Sequence, residues 1–298
     1  RSVALLNRIG GPTLDESSAG RPTASPGARP AAQADAVGNT PLGAITPYLS
    51  ERPAFCFTTD IEWAPEWAIK DLFALADAYE VRLTPFLTHR SEYLWRHLTG
   101  SPEAGGAGVH PNFLPGSSHG ASVGAVIDHV TQLWPNARSF RSHCFYDETR
   151  MNRQMADRGF RYDSNLCAFL QPGLVPLRTA TRIIRFPVFW EDDVHSGSGL
   201  PWSVEAIDAE LRSPGLKIFN VHPSRVALNV PDEAFHESRR PLSEAPELKV
   251  DEHAHRGPGT RTLLEELFSY ARAMAHPIVG FEELYLQAVD RGVPRRPS

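Results

Sequence analysis

Asp60 and Glu62 stand one residue apart at the end of an apolar run, in FCFTTDIEWAPEW, and they open a series. His89 follows VRLTPFLT, His110 follows GAGV, and Arg141 and His143 follow ARSF. Asp163 and Asn165 sit at the end of FRYD, Glu191 to Asp193 and His195 follow RFPVFW, and His222 follows KIFNV. A single polar residue at a strand end needs no function, because such ends meet water. Successive units that each offer His, Asp, Glu or Arg point instead to convergence on one site. Two imidazoles and a carboxylate form a common shell for a catalytic zinc ion, which keeps a water in an open position and lowers its pKa towards neutrality. A second carboxylate near that water could act as base. No HExxH, no GxxxxGK[ST] phosphate loop and no zinc-finger spacing occurs in the chain, so a zincin helix and a nucleotide-binding loop are set aside. A metal hydrolase is the leading class.

Such a set needs a frame that brings strand ends together. PAFCFTT reads as a strand, and PEWAIKDLFALADAYE as a helix with Trp67, Leu72, Leu75 and Ala76 at helical spacing and Pro65 near its start. VRLTPFLT and GAGVHP are the next strand candidates. ASVGAVIDHVTQLWP is a helix that Pro135 ends, and ETRMNRQMADRG a polar-rimmed helix closing on Gly159. FRYDSNL, TRIIRFPVFW and LKIFNVHP are further strands, and TRTLLEELFSYARAM and FEELYLQAV the last helix pair. Strands alternating with helices predict a parallel α/β architecture, and about seven such units predict a barrel. The carboxyl ends of barrel strands form one face, where active sites are built. On an extended strand end, residues two apart face the same side, so Ile61 is expected to turn away and leave Asp60 and Glu62 together.

Composition narrows the partners. At 298 residues and 41% hydrophobic the chain can bury a sizeable core, and its net charge of −5 leaves no basic footprint for nucleic acid. Three scattered cysteines, Cys56, Cys144 and Cys167, argue against a disulfide framework and for a reducing cytoplasm. No apolar run approaches the ~20 residues of a membrane span. Residues 10–43 are rich in Gly, Pro, Ala and Ser, which predicts a flexible arm over 1–45, one barrel domain over 46–290 and a short tail over 291–298.

Taken in order, FTTDIEWAPEW, GVHPNFLPGSSHG, RSHCFY, RYDSNL, RFPVFWEDDVH and NVHP resemble the polysaccharide deacetylases, the NodB homology domain of carbohydrate esterase family 4. The likeness runs from about Pro53 to about Val289 and is nearest to the divergent branch associated with surface-polysaccharide gene clusters. It implies a distorted (β/α)7 barrel, a divalent metal, usually zinc, and hydrolysis of an acetyl group from an N-acetylated sugar or polysaccharide unit. Carried over residue by residue, the resemblance makes Asp60 the base and Glu62 a metal ligand, although the family's two acids are adjacent and here Ile61 separates them. His110 matches the first histidine of the family's pair. The second, four residues on in the family, is absent, so His119 is expected as the next ligand, with His143 as its alternative. Arg141 falls on the arginine that orients the base, Asp163 on the acid that supports the machinery, and His222 on the histidine that protonates the leaving amine. FWEDDVH would supply a carboxylate partner to His222, or line the sugar cleft through Trp190 and Asp192. Trp63 and Asn112 complete the expected substrate contacts. Two rival readings stay open: a metal amidase acting on a small non-carbohydrate amide, and a catalytically silent barrel that binds a glycan or a protein partner.

Overall fold

Every residue of PAFCFTTD is buried, which fits a strand covered on both faces at the middle of a parallel sheet. In the computed structural model this stretch is β1 (Pro53–Asp60), lying between β2 (Leu83–Leu87) and β9 (Gly215–Val221). The model describes residues 48–100, 106–245, 247–274 and 277–289. The arm expected over 1–45 and the tail over 291–298 lie outside them. Between β2 and β9 come β3 (Gly108–Val109), β4 (Ser139–Phe140), β5 (Tyr162–Asp163), β6 (Leu177–Arg178), β7 (Ile184–Arg185) and β8 (Trp190–Glu191). They form one sheet in the order β6-β7-β5-β4-β3-β2-β1-β9-β8, parallel throughout except for the β6–β7 pair.

The sheet curls. Ile184 to Glu191 is one extended segment whose start pairs with β5 and whose end pairs with β9. Its amides step across the gap, Phe186 donating to Asp163 O, Val188 to Leu166 O and Phe189 to Ile218 O. The segment therefore ties the two sides of a half-barrel to each other. The described strands are more numerous and shorter than seven regular units.

Strand alternation divides the core. Phe55, Phe57 and Phe219 face the helices and meet Leu72, Phe73, Leu264, Leu267 and Phe268; Phe57 stacks on Phe219 at 4.9 Å and meets Phe268 edge-on. Each fully buried side chain of this size is worth about 1.5–3 kcal/mol. Ala54, Cys56, Leu216 and Ile218 face inward with Phe86, Phe186, Val188 and Phe281. Further along the same inward face stand Thr58, Asp60 and Asn220, all buried. The apolar floor thus gives way to a polar layer at the carboxyl ends of the strands.

Helices follow the sequence pattern closely. Glu66–Ala78 buries Ala68, Ile69, Leu72, Phe73, Leu75 and Ala76. Val123–Leu133 starts at Ser122, whose side chain accepts from Ala125 N, and stops before Pro135. Thr149–Asp157 is followed by Gly159 at φ +102°, the left-handed position that favours glycine. Among the described residues no helix is long and apolar enough to cross a membrane.

Candidate active site

The first site-bearing turn is strained. Ile61 N extends the ladder to Phe86 O, and the chain then reverses, Ala64 N donating to Ile61 O at 2.7 Å. Glu62 and Trp63, between them, adopt φ +47° and +54°, a region that costs non-glycine residues on the order of 1–3 kcal/mol each. Trp63 N is held by Thr88 Oγ1 at 3.0 Å. Asp60 and Glu62 do face one place, but a left-handed turn brings them there. The expected strand alternation, with Glu62 continuing β1, is corrected on this point.

Asp60 is 2% exposed and sits in a web of donors. Arg141, 0% exposed, gives Nη1 to Asp60 Oδ1 at 3.0 Å and to Asn220 Oδ1 at 2.5 Å. Its Nη2 donates to Thr58 Oγ1 at 3.0 Å and Ser164 Oγ at 2.9 Å, and its Nε to Ser164 O at 3.2 Å. Asn220 Nδ2 reaches Asp60 Oδ2 and Glu191 Oε1, each at 2.9 Å. Burial works against a charge on Asp60, yet the Arg141 guanidinium, with His110, holds its carboxyl far below the ordinary range. Asp60 is therefore a carboxylate at neutral pH.

Beside it lies a group of possible metal ligands. Glu62, His110 and His143 offer donor atoms all within 4.8 Å of one another. Glu62 Oε1 stands 2.9 Å from His110 Nε2 and 2.6 Å from His143 Nδ1. His110 Nδ1 lies 3.4 Å from Asp60 Oδ1. Adjacent strands explain the grouping, since His110 N donates to Leu87 O, Arg141 N to Val109 O and His143 N to Pro111 O. One carboxylate and two imidazoles are a donor set that suits a catalytic divalent ion with one open position. The residues present therefore fit the expected metal.

His143, rather than His119, completes this group. His119 Nδ1 accepts from Asn112 N at 3.1 Å, its ring stacks on His129, and its Nε2 is buried without a partner. Burial, with His129 beside it, lowers its pKa to about 4, so the ring is neutral.

His222, whose ring shares a second donor group within 4.8 Å with Asp60 and Glu191, bonds both oxygens of Asp192 through N and Nδ1, at 2.9 and 2.6 Å. Burial alone would discharge this imidazole, but Asp192 raises it well above its usual value and keeps it protonated. Glu191 Oε1 lies 3.9 Å from His222 Nε2, and burial, reinforced by Asp193, pushes its carboxyl up to about 8. The cavity holds about 640 Å³ and is lined by Asp60, Glu62, His110, His143, Glu191 and His222.

Four expected roles are corrected. Trp190 is fully buried in the core, its Nε1 donating to His195 Nδ1, so it presents no face to a sugar. Asp192 is likewise 0% exposed and makes no sugar contact; its oxygens bond His222, so it is the carboxylate partner expected of FWEDDVH. Asn112 caps its own loop by accepting from Leu114 N and does not line the cavity. Asp163 grips Arg185 with both oxygens at 2.8 Å and does not reach the cavity, while its neighbour Ser164 makes the contacts with Arg141. Trp63 does line the cavity and is 37% exposed. Thr58, Ser164 and Asn220 are not among the residues that the sequence marks for the site, although Thr58 and Asn220 each stand two residues before one that is, Asp60 and His222, the strand period that shares a face.

The family model for WbmS-like polysaccharide deacetylases matches residues 57–240 of the 298. A solved structure from Bordetella bronchiseptica, assigned as a polysaccharide deacetylase involved in O-antigen biosynthesis, is 27% identical with a TM-score of 0.65, covering 72% of this chain and 90% of that one. Another, from Mycobacterium smegmatis and assigned as a polysaccharide deacetylase, is 17% identical with a TM-score of 0.47 over 84% of this chain and 96% of that one, too remote to carry argument. No curated protein matches the sequence.

Proposed function

The chain belongs to the WbmS-like polysaccharide deacetylase family, and on that premise we propose that it is a metal-dependent hydrolase that removes the acetyl group from an N-acetylated sugar or surface-polysaccharide unit. One observation carries the reading: an ionised buried carboxylate, Asp60, adjoins a Glu62–His110–His143 donor group, and a protonated imidazole, His222, faces the same cavity. Amide hydrolysis asks for that division, because the attacking water must lose a proton and the departing amine must gain one.

Glu62, His110 and His143 would hold the ion, zinc being the first candidate for such donors. When bound, it would supply Lewis-acid polarisation of the acetyl carbonyl and of a water molecule. Asp60 takes the proton from the attacking water; Arg141 and Asn220, each bonded to a different oxygen of Asp60, fix its direction. His222 is steered by Asp192 so that Nε2 is left for the nitrogen of the substrate. It hands over its proton as the carbon–nitrogen bond breaks, and acetate and the free amino sugar leave. Trp63, which lines the cavity and is 37% exposed, offers an aromatic surface to a pyranose ring.

Acetate release from N-acetylated sugars by metal-loaded protein is the test, with Asp60→Asn expected to abolish turnover while metal stays bound. Full activity in metal-replete Asp60→Asn would remove Asp60 as base. Release from simple amides but from no acetamido sugar would replace the carbohydrate reading by the amidase one.

A further inference from the structure

The cavity walls differ in charge. Its lining acids, Asp60, Glu62, Glu191 and Asp193, all precede His222 in the chain. Among the described residues, those lining the cavity after His222 include Arg225, His236, Arg239 and Arg240, and no acid. Substrate orientation follows from the deacetylase reading, on which this inference rests. The acetyl group belongs beside Asp60, the nitrogen at His222, and the sugar, being bonded to that nitrogen, on the His222 side. We propose that the substrate sugar, or the group it is joined to, carries an anionic substituent, a phosphate or a carboxylate, that this basic wall binds.

Arg225 is the strongest argument. It lies in the short helix Pro223–Ala227 that begins directly after His222, and it is 6% exposed. Its Nη2 pairs with Glu233 Oε2 at 2.5 Å, while its Nη1 is buried without a hydrogen-bond partner. A buried donor left unmade is costly, and one on a residue that lines a cavity is placed to be satisfied by a ligand's acceptor. Arg239 lies over the Phe235 ring at 4.9 Å and has no carboxylate partner among the described residues. Its nitrogens reach only His253 O at 3.4 Å and Ser238 Oγ at 3.5 Å. Arg240 and His236 are paired to Glu237 and Glu233, more than half exposed, and neither glutamate lines the cavity. Such exposed pairs hold their partners weakly. Asp192 and Asp193 are the other acids whose charge reaches Arg225, and Asp192 is matched by His222. Among the lining residues, Arg225, Arg239 and Arg240 outnumber Asp193, the one lining acid whose charge reaches Arg225, and guanidinium forks suit the paired oxygens of phosphate and carboxylate.

Calorimetry on metal-loaded Asp60→Asn protein tests this without consuming the ligand. Three probes serve: N-acetylglucosamine 1-phosphate, the methyl glycoside of an N-acetylhexosaminuronic acid, and neutral methyl N-acetylglucosaminide. One charged probe is expected to bind about 10–100-fold more tightly than the neutral one, the worth of one or two charge-assisted hydrogen bonds. Which of them gains more separates phosphate from carboxylate. Added salt should narrow the gap, and so should Arg239→Gln in the same background. Equal affinity for all three, binding of none, or a preference that Arg239→Gln leaves unmoved would overturn the proposal. Acetate release by unmutated protein is read separately, so selective binding without release would sink the deacetylase reading and leave the anion site standing.

Discussion

Replacing Arg141 by Met removes five hydrogen bonds made by a fully buried guanidinium and takes from the Asp60 carboxylate its principal countercharge, with His110 left beside it. Part of the loss is cushioned. Thr58 Oγ1 keeps Phe219 O, Ser164 Oγ keeps Phe186 O, and Asn220 Nδ2 still reaches Asp60. What dominates is the stranded charge, and breaking a buried ion pair from one side costs about 3–5 kcal/mol. Against a domain stability of about 5–15 kcal/mol this is a large fraction. The pH dependence should also reverse. In the unmutated protein Asp60 is depressed below its unfolded value, so its contribution is present above about pH 4 and is lost only as pH falls towards the depressed value. Without Arg141, burial is expected to outweigh the charges of His110 and His222 and to raise Asp60 above the unfolded value, so the variant should lose stability as pH rises from about 4, by about 1.4 kcal/mol per unit of displacement. Urea unfolding of chelator-treated protein in mildly acidic and neutral buffers measures both. Adding Asp60→Asn removes the stranded charge and should restore about 2 kcal/mol at neutral pH, within the usual range of coupling between contacting residues. A loss below about 1 kcal/mol for Arg141→Met, or no recovery in the double variant, would refute the argument.

His143→Ala should weaken zinc binding by more than the about 10–100-fold that loss of a supporting partner costs, and His119→Ala by less than His143→Ala; zinc titration with a competing chelator would show the opposite order if His119 were the ligand. Glu191→Gln should flatten the stability profile. The raised Glu191 contributes stability below about pH 4.5 that is lost as pH rises through about 8, so unfolding midpoints across that window should fall in the parent and hold steadier in the variant.

Much of the frame is readable from periodicity, because β1 and β9 are apolar on both faces and the flanking helices carry clean apolar stripes. Positions at strand ends were equally readable: Asp60, His110, Arg141, His143 and His222 all come together or line the same cavity. What escaped was local backbone and strand adjacency. Neither Glu62 nor Trp63 is a residue type that announces a left-handed turn, so the reversal after Ile61 leaves no mark in the pattern. His119 is nearer than His143 to His110 along the chain, but β4 lies next to β3 in the sheet, and that adjacency brings His143 to Glu62. Trp190 looked like a platform because aromatic residues serve both roles; only packing shows that its faces meet Trp202 and Phe219.

The pairing of β1 with β9 has a consequence for how activity arises in time. Thr58 meets Phe219 and Asn220 across separations of 161 and 162 residues, so the central pair of the sheet joins distant parts of the chain. Contacts of such span close late and slow the search. Glu62, His110 and His143 belong to strands that neighbour one another in order, and they could meet before β9 arrives. His222 and Asn220 come only with β9. A nascent chain would thus acquire its cation grip first and its proton donor last, remaining silent until the sheet is finished.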